Sequence, residues 1–272
     1  MAHVTSRDGT PIAFDRTGAG PALVLVGGGL DDGAENAPLA VELAAHFTVL
    51  NYARRGRGES GDTLPYALER EFEDLEALIN ELVNGTDSRS VHVYGVSTGG
   101  ALALEAAAAG VPGIGKLAVY EVPYNMAADW PRQWQAYVRE LHALLEADRR
   151  GDALALFMRL AGTSEEDIAE ARKAPFWPGL EPLAPTLAYD AACAGDGQPP
   201  TARLARIAQP TLVVTGDERP ADAALWVRAL DRAADTIAAS IPHARRATWP
   251  GQSHVADPKV AARELGRFFA GG

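Results

Sequence analysis

One serine of the chain stands between two glycines, where a strand-like apolar run gives way to an alanine-rich helical run. The sequence is VHVYGVSTGGALALEAAA (residues 91–108), and Gly95, Ser97 and Gly99 give it the spacing G-x-S-x-G. At a tight turn from strand to helix, such glycines let neighbouring backbone approach closely and the serine side chain projects from the sheet. This context predicts that Ser97 is a nucleophile; the alternative is an ordinary serine at a helix N-cap.

A serine hydroxyl is a weak nucleophile at neutral pH, so it requires a base within hydrogen-bond reach and a third group that orients the base. The chain has six histidines. His254 lies between the last strand-like run and the last helical pattern, whereas His92 falls within a strand-like run. The other four look like terminal, surface or helix-end residues, and we therefore expect His254 to be the base.

Short strand-like runs alternate with helical patterns, which is typical of a mostly parallel sheet covered by helices on both faces. The runs predicted as strands are 12–17, 22–28, 47–52, 90–96, 116–122, 211–216 and 244–250. Between residues 125 and 200 the strand pattern gives way to helical and proline-rich segments. The prediction is an α/β fold with a doubly wound, mostly parallel sheet: residues 1–124 and 201–272 form the core, and residues 125–200 form an inserted helical cap.

Charge and cysteine content narrow the function classes. The formal net charge of −11 argues against nucleic acid or an anionic membrane as partner. Cys193 is the one cysteine, so the chain has no internal disulfide and no cysteine-based metal site. The N-terminal residues lack a signal-peptide pattern, and no apolar run reaches about 18 residues. We expect a cytoplasmic monomer or homodimer that binds a small-molecule substrate.

With its G-x-S-x-G corner, its late histidine and its alternating strands and helices, the chain resembles the α/β-hydrolase superfamily over nearly its whole length. LVLVGGGLDD (23–32) is similar to the family's oxyanion loop, with Gly27-Gly28 in place of the usual His-Gly pair. YARRGRGESGD (52–62) resembles its Arg-Gly-x-Gly-x-Ser turn, and WPGQSHVADP (249–258) resembles the loop that carries the catalytic histidine. The resemblance implies a serine hydrolase that needs no metal and no other cofactor.

The resemblance also implies an oxyanion hole, built from the backbone N–H of Thr98 and one N–H of the glycine loop. Gly29 is the expected donor, with Leu30 as the alternative.

The arginines of the second motif are expected to be structural and to fix a turn against acidic neighbours such as Glu59 and Asp62; they are Arg54, Arg55 and Arg57.

Two carboxylates compete for the third position of the triad. Asp217 directly follows Gly216, but the place three beyond that glycine, where family members often carry the acid, holds Arg219. Some members resembling the dehalogenase branch take the acid from the end of the strand after the nucleophile helix, which here is Glu121. One helix and one strand separate Ser97 from Glu121, so both side chains emerge at the same edge of the sheet. We expect Glu121 to be the acid, with Asp217 as the alternative.

Aromatic side chains on one helical face of the predicted cap form a stripe. Such a stripe packs helix against helix or lines an apolar pocket. We assign to substrate binding three members of the stripe and two residues near it: Trp130, Trp134, Tyr137, Phe157 and Trp177.

The sequence thus predicts an esterase- or lactonase-like serine hydrolase acting on a small, fairly apolar ester or related acyl compound. The same triad supports alternatives: a cofactor-free haloperoxidase or perhydrolase, a C–C hydrolase or lyase, or a binding protein that keeps the pocket without catalysis. An aspartate nucleophile would have indicated dehalogenase or epoxide hydrolase chemistry instead.

Overall fold

The computed structural model describes residues 1–218 and 225–271, with backbone only for residues 225–228. Within this part the strands form one sheet in the order β1-β2-β4-β3-β5-β6-β7-β8. The first two pairings, β1 with β2 and β2 with β4, are antiparallel, and the others are parallel. The strands are β1 (Ala2–Thr5), β2 (Pro11–Thr17), β3 (Ala22–Val26), β4 (Thr48–Tyr52), β5 (Val91–Val96), β6 (Ile114–Tyr120), β7 (Thr211–Gly216) and β8 (Ala244–Trp249). The predicted mostly parallel α/β fold is confirmed; the additional strand β1 was not predicted from the sequence.

Helices bury both faces of this sheet. In β3, Leu23 and Leu25 belong to one apolar cluster and Val24 and Val26 to the other, so every residue of the strand is buried. Burial on both faces explains why the run is apolar throughout rather than alternating. The helices are α1 (Ala37–Leu43), α2 (Leu68–Gly85), α3 (Thr98–Ala108), α4 (Trp130–Glu146), α5 (Arg150–Leu160), α6 (Glu165–Ala171), α7 (Trp177–Leu180), a 3-10 helix (Glu181–Thr186), α8 (Leu187–Ala194), α9 (Thr201–Leu204), α10 (Leu225–Ser240) and α11 (Pro258–Ala270).

The chain between β6 and β7 holds helices α4 to α9 and no strand among its residues, all of which are described. We call this segment the helical insertion. Helix α8 of the insertion packs against α3, the helix that follows Ser97. The insertion therefore lies beside the serine, at the edge of the sheet where the parallel strands end. None of the helices in the described residues has both the length and the apolarity needed to cross a membrane.

His92 in β5 makes the stability of the fold sensitive to acid. Its ring stacks on Phe269 with centroids 4.8 Å apart, and its Nδ1 accepts the Lys116 backbone N–H at 3.3 Å. Burial, and secondarily the charge of Lys116, lowers the pKa of His92 to about 4. Between about pH 6.5 and pH 4 the unfolded chain therefore binds a proton that the folded chain does not, and stability falls as the pH decreases.

We expect His92→Gln, which cannot titrate, to lessen this loss. On going from pH 7 to pH 5 the wild type should lose on the order of 1–2 kcal/mol more unfolding free energy than the variant does. Urea unfolding of both proteins at both pH values measures the difference directly. Equal losses in the two proteins would contradict the assignment.

Candidate active site

Ser97 lies at the junction of β5 and α3 in a backbone conformation that few non-glycine residues adopt. Its φ is +53° and its ψ is −127°. Such conformations cost of order 1–3 kcal/mol and persist where the surroundings enforce them, most often at functional sites. The Ser97 backbone N–H donates to Tyr120 O at 2.9 Å, which fixes the turn to the neighbouring strand β6.

The flanking glycines are required by close backbone contacts. A Cβ on Gly95 would lie 2.5 Å from Gly99 O, and a Cβ on Gly99 would lie 2.4 Å from the carbonyl oxygens of Val26 and Gly27. The G-x-S-x-G spacing is thus explained by three pieces of backbone meeting at one corner: the end of β3, the end of β5 and the start of α3.

His254 and Glu121 form a hydrogen-bonded pair. His254 Nδ1 lies 3.0 Å from Glu121 Oε2, and Glu121 Oε1 accepts the Gly216 backbone N–H at 2.9 Å. The Glu121 side chain is fully buried, whereas that of His254 is 35% exposed. The Tyr120 hydroxyl donates to Ser253 O and so attaches the histidine loop to the end of β6. Glu121 has a φ of +51°, so its backbone, like that of Ser97, is in the left-handed region.

Asp217, the alternative acid, is placed elsewhere. It is exposed, and its Oδ1 accepts the Gly251 backbone N–H at 2.6 Å. Its neighbour Glu218 binds the same loop through its backbone, donating to Gln252 O at 3.0 Å. The two residues therefore hold the base of the histidine loop. Arg219 lies outside the described residues.

The glycine loop runs directly beside the serine. A Cβ on Gly28 would lie 3.1 Å from Ser97 Cβ, and Gly28, Gly29 and Thr98 line the same cavity as Ser97. Leu30 does not line this cavity; with a φ of +61° it turns the chain away and packs against the apolar core. Of the two glycine-loop residues proposed as oxyanion donors, the structure brings Gly29 to the cavity and leaves Leu30 outside it.

The cavity has a volume of about 270 Å³ and lies between the sheet edge and the helical insertion. Four of the five aromatic residues assigned to substrate binding line it. Trp177 does not: its Nε1 donates to Glu181 Oε1 at 3.1 Å, and the Arg172 guanidinium lies 5.5 Å from its ring. The lining residues are Gly28, Gly29, Glu35, Val96, Ser97, Thr98, Pro123, Trp130, Trp134, Tyr137, Phe157, Leu160, Ala161, Leu187, Asp190, Ala191 and His254.

Two carboxylates of this lining were missed from the sequence. Glu35 lines the cavity, where partial desolvation together with the charge of Asp31 raises the pKa of its carboxyl group, while His254 opposes the shift. Asp190 is buried in α8. A single charged residue within the mostly apolar run LAYDAACA is the sequence feature that could have identified it.

The arginines of the second motif are structural, as expected, but the expected partners Glu59 and Asp62 are not theirs. Their ion-pair partners are more distant in sequence: Glu71 and Asp190 for Arg54, Asp74 and Asp8 for Arg55, and Asp190 for Arg57. In the described residues no group of three or more His, Cys, Asp or Glu side chains could hold a metal ion.

A mostly parallel sheet with a strained serine after β5 and a carboxylate-bound histidine after β8 is the arrangement of one class of hydrolases. A family model described as the Alpha/beta hydrolase family matches residues 8–264, and the chain belongs to that family.

Solved structures agree with this assignment. An alpha/beta hydrolase from Sphaerobacter thermophilus is 46% identical, with 98% of this chain and 99% of that chain covered and a TM-score of 0.84. The enol-lactonase from Burkholderia xenovorans is 22% identical (98% and 99% covered, TM-score 0.68), and a thermophilic esterase from Thermogutta terrifontis is 20% identical (99% and 97% covered, TM-score 0.67). The latter two likenesses support the fold alone.

Proposed function

We propose that the protein is a serine hydrolase that cleaves small, fairly apolar carboxylic esters or lactones through a triad of Ser97, His254 and Glu121. The observation that carries the proposal is the 3.0 Å contact between His254 Nδ1 and a fully buried carboxylate oxygen of Glu121. His254 itself lines the same cavity as Ser97. A carboxylate only accepts hydrogen bonds, so it selects the tautomer with the proton on Nδ1 and leaves Nε2 as the base.

In the proposed reaction Ser97 Oγ attacks the ester carbonyl while His254 Nε2 takes the hydroxyl proton. The resulting oxyanion accepts hydrogen bonds from the backbone N–H groups of Thr98 and Gly29. His254 then gives the proton to the departing alcohol, and an acyl-enzyme remains on Ser97. Water, activated by the same histidine, attacks the acyl-enzyme, and the carboxylic acid leaves.

The cavity favours a compact apolar substrate. Its volume of about 270 Å³ is at or below the lower end of the usual 300–1,000 Å³ range of small-molecule sites. Aromatic and aliphatic side chains of the helical insertion supply most of its wall. Short acyl chains should therefore fit, and p-nitrophenyl butyrate should be turned over faster than the decanoate ester.

The serine is tested by labelling with a fluorophosphonate and measuring the intact mass. The wild type should gain one adduct, and Ser97→Ala should gain none. His254→Ala should react slowly at best, because its serine lacks the base. Absence of an adduct on the folded wild-type protein would refute the proposal.

Glu35 gives the cavity a charge preference that is measurable with paired substrates. None of the described cavity-lining residues is a lysine or an arginine. A negative charge on the Glu35 carboxylate should therefore disfavour acyl groups that carry a carboxylate of their own. We expect Glu35→Gln to raise kcat/KM for a mono-succinate ester about tenfold relative to the neutral butyrate ester. An unchanged ratio of the two constants would show that Glu35 does not influence substrate choice.

A further inference from the structure

Asp190 joins the helical insertion to both parts of the proposed oxyanion hole. One of its carboxylate oxygens, Oδ1, accepts three hydrogen bonds: from Arg54 Nη1 at 2.7 Å, from Arg57 Nη2 at 2.8 Å and from Thr98 Oγ1 at 2.8 Å. Thr98 is the residue whose backbone N–H is assigned to the oxyanion. The carboxylate therefore holds the first residue of α3 directly.

The second part of the hole is reached through Arg57. Its Nη1 donates to Gly28 O, and the Gly28 carbonyl and the Gly29 N–H belong to the same planar peptide unit. In a trans peptide these two groups point in opposite directions, so fixing the carbonyl also fixes the direction of the N–H. Arg54 adds a longer contact of 3.5 Å to Gly27 O, one residue earlier in the loop.

The Asp190 carboxylate is in the charged state that its three hydrogen bonds require. Burial acts to raise the pKa of Asp190, but Arg57 and Arg54 outweigh it and hold the pKa below its usual range. The carboxylate therefore stays charged. Its other oxygen, Oδ2, is buried without a hydrogen-bond partner among the described residues, and a Cβ on Gly29 would lie 3.4 Å from it.

We propose that Asp190 is a positioning residue: through Thr98 and Arg57 it sets the directions of the two backbone N–H groups that bind the oxyanion. The proposal rests on the proposed hydrolase function. Because the oxyanion forms only during reaction, misdirected donors should lower kcat and leave KM nearly unchanged.

Asp190→Asn is the direct test, and Asp74→Asn is its matched control. Asp74 also neutralises a buried arginine, binding Arg55 through contacts of 2.7 and 2.8 Å, but neither residue of that pair contacts the glycine loop or Thr98. We expect Asp190→Asn to lower kcat about 100-fold with KM changed less than about threefold, since small displacements of catalytic groups have effects of that size. Asp74→Asn should lose thermal stability but keep kcat within about threefold of the wild type.

A second pair of variants avoids leaving buried charges unpaired. Thr98→Val removes the hydroxyl that binds Asp190 but keeps the backbone N–H, and Thr98→Ser keeps both. We expect about a tenfold loss of kcat in the valine variant and near-wild-type kcat in the serine variant.

The outcomes separate the two proposals. If the wild type is not labelled by a fluorophosphonate and hydrolyses no ester, the hydrolase function itself fails. If the wild type is active but Asp190→Asn falls no further in kcat than Asp74→Asn, or if the valine and serine variants of Thr98 behave alike, the positioning role of Asp190 is wrong.

Discussion

Glu121→Gln is expected to lower kcat for a p-nitrophenyl ester by about 10³- to 10⁴-fold while leaving the fold intact. The reason lies in the two contacts of the carboxylate. The Gly216 N–H requires an acceptor at Oε1, so the new amide must keep its carbonyl oxygen there and turn its NH2 group toward His254 Nδ1. The imidazole must then accept at Nδ1 and carry its proton on Nε2, where it no longer serves as a base. Steady-state kinetics measures the loss, and circular dichroism verifies the fold.

Asp217→Asn is the control for this experiment. Its Oδ1 contact with the Gly251 backbone N–H can be kept by the amide oxygen, and the side chain is exposed. We expect kcat within about threefold of the wild type. A loss of two or more orders of magnitude in Asp217→Asn, with Glu121→Gln near wild type, would exchange the two assignments.

Between these two carboxylates, the sequence favoured Glu121 through family resemblance alone and left Asp217 open as the alternative. Glu121 and Asp217 both follow strands that end at the same edge of the sheet, and each follows its strand by one residue. What separates them is the path of the backbone after the strand: Glu121 has a positive φ, and its side chain reaches His254 from the interior. A contact between residues 133 positions apart depends on how two loops cross, and no local pattern encodes that crossing.

Local patterns succeeded where local forces decide the structure. The corner at Ser97 is predictable because the close approach of Gly95 and Gly99 arises within a few residues, although Gly99 also meets the distant carbonyls of Val26 and Gly27. The parallel strands are predictable because burial on both faces requires continuous apolar runs. β1 was missed because it is short and only Val4 among its residues is buried, so it has little hydrophobic signal.

The sequence predicted that the insertion is helical, but it did not predict how these helices pack against one another and against the core. The stripe on α4 is set by helical period, and Trp130, Trp134 and Tyr137 do reach the cavity. Trp177 lies on the four-residue helix α7, and its side chain contacts Arg172 and Glu181 instead of the cavity. Asp190 was not identified from the sequence for the same reason. Its proposed role depends on α8 packing beside α3, and residue types alone do not say which helix of an insertion does so.

Gly99, two residues after the proposed nucleophile Ser97, leads to the second large effect. We expect Gly99→Ala to lower kcat/KM at least 100-fold or to prevent accumulation of folded protein. The new Cβ would lie 2.4 Å from the carbonyl oxygens of Val26 and Gly27, whereas carbon–oxygen contacts of this kind are normally about 3.3 Å or longer. The start of α3 and the glycine loop must therefore separate by about 1 Å, and both proposed oxyanion donors move with them. Ester kinetics and thermal unfolding measure the two consequences.

Gly266→Ala provides the matched control, because it is also a glycine within a helix but nothing lies within 4 Å of its added Cβ. It should keep wild-type kinetics and gain about 0.5–1 kcal/mol of stability, the usual advantage of alanine over glycine in a helix interior. The contrast isolates the steric contact from helix propensity, since propensity alone would make both variants more stable. Wild-type kcat/KM in Gly99→Ala would mean that the glycine loop can move away from α3 without cost, and the oxyanion donors would then have to be sought elsewhere along the cavity wall.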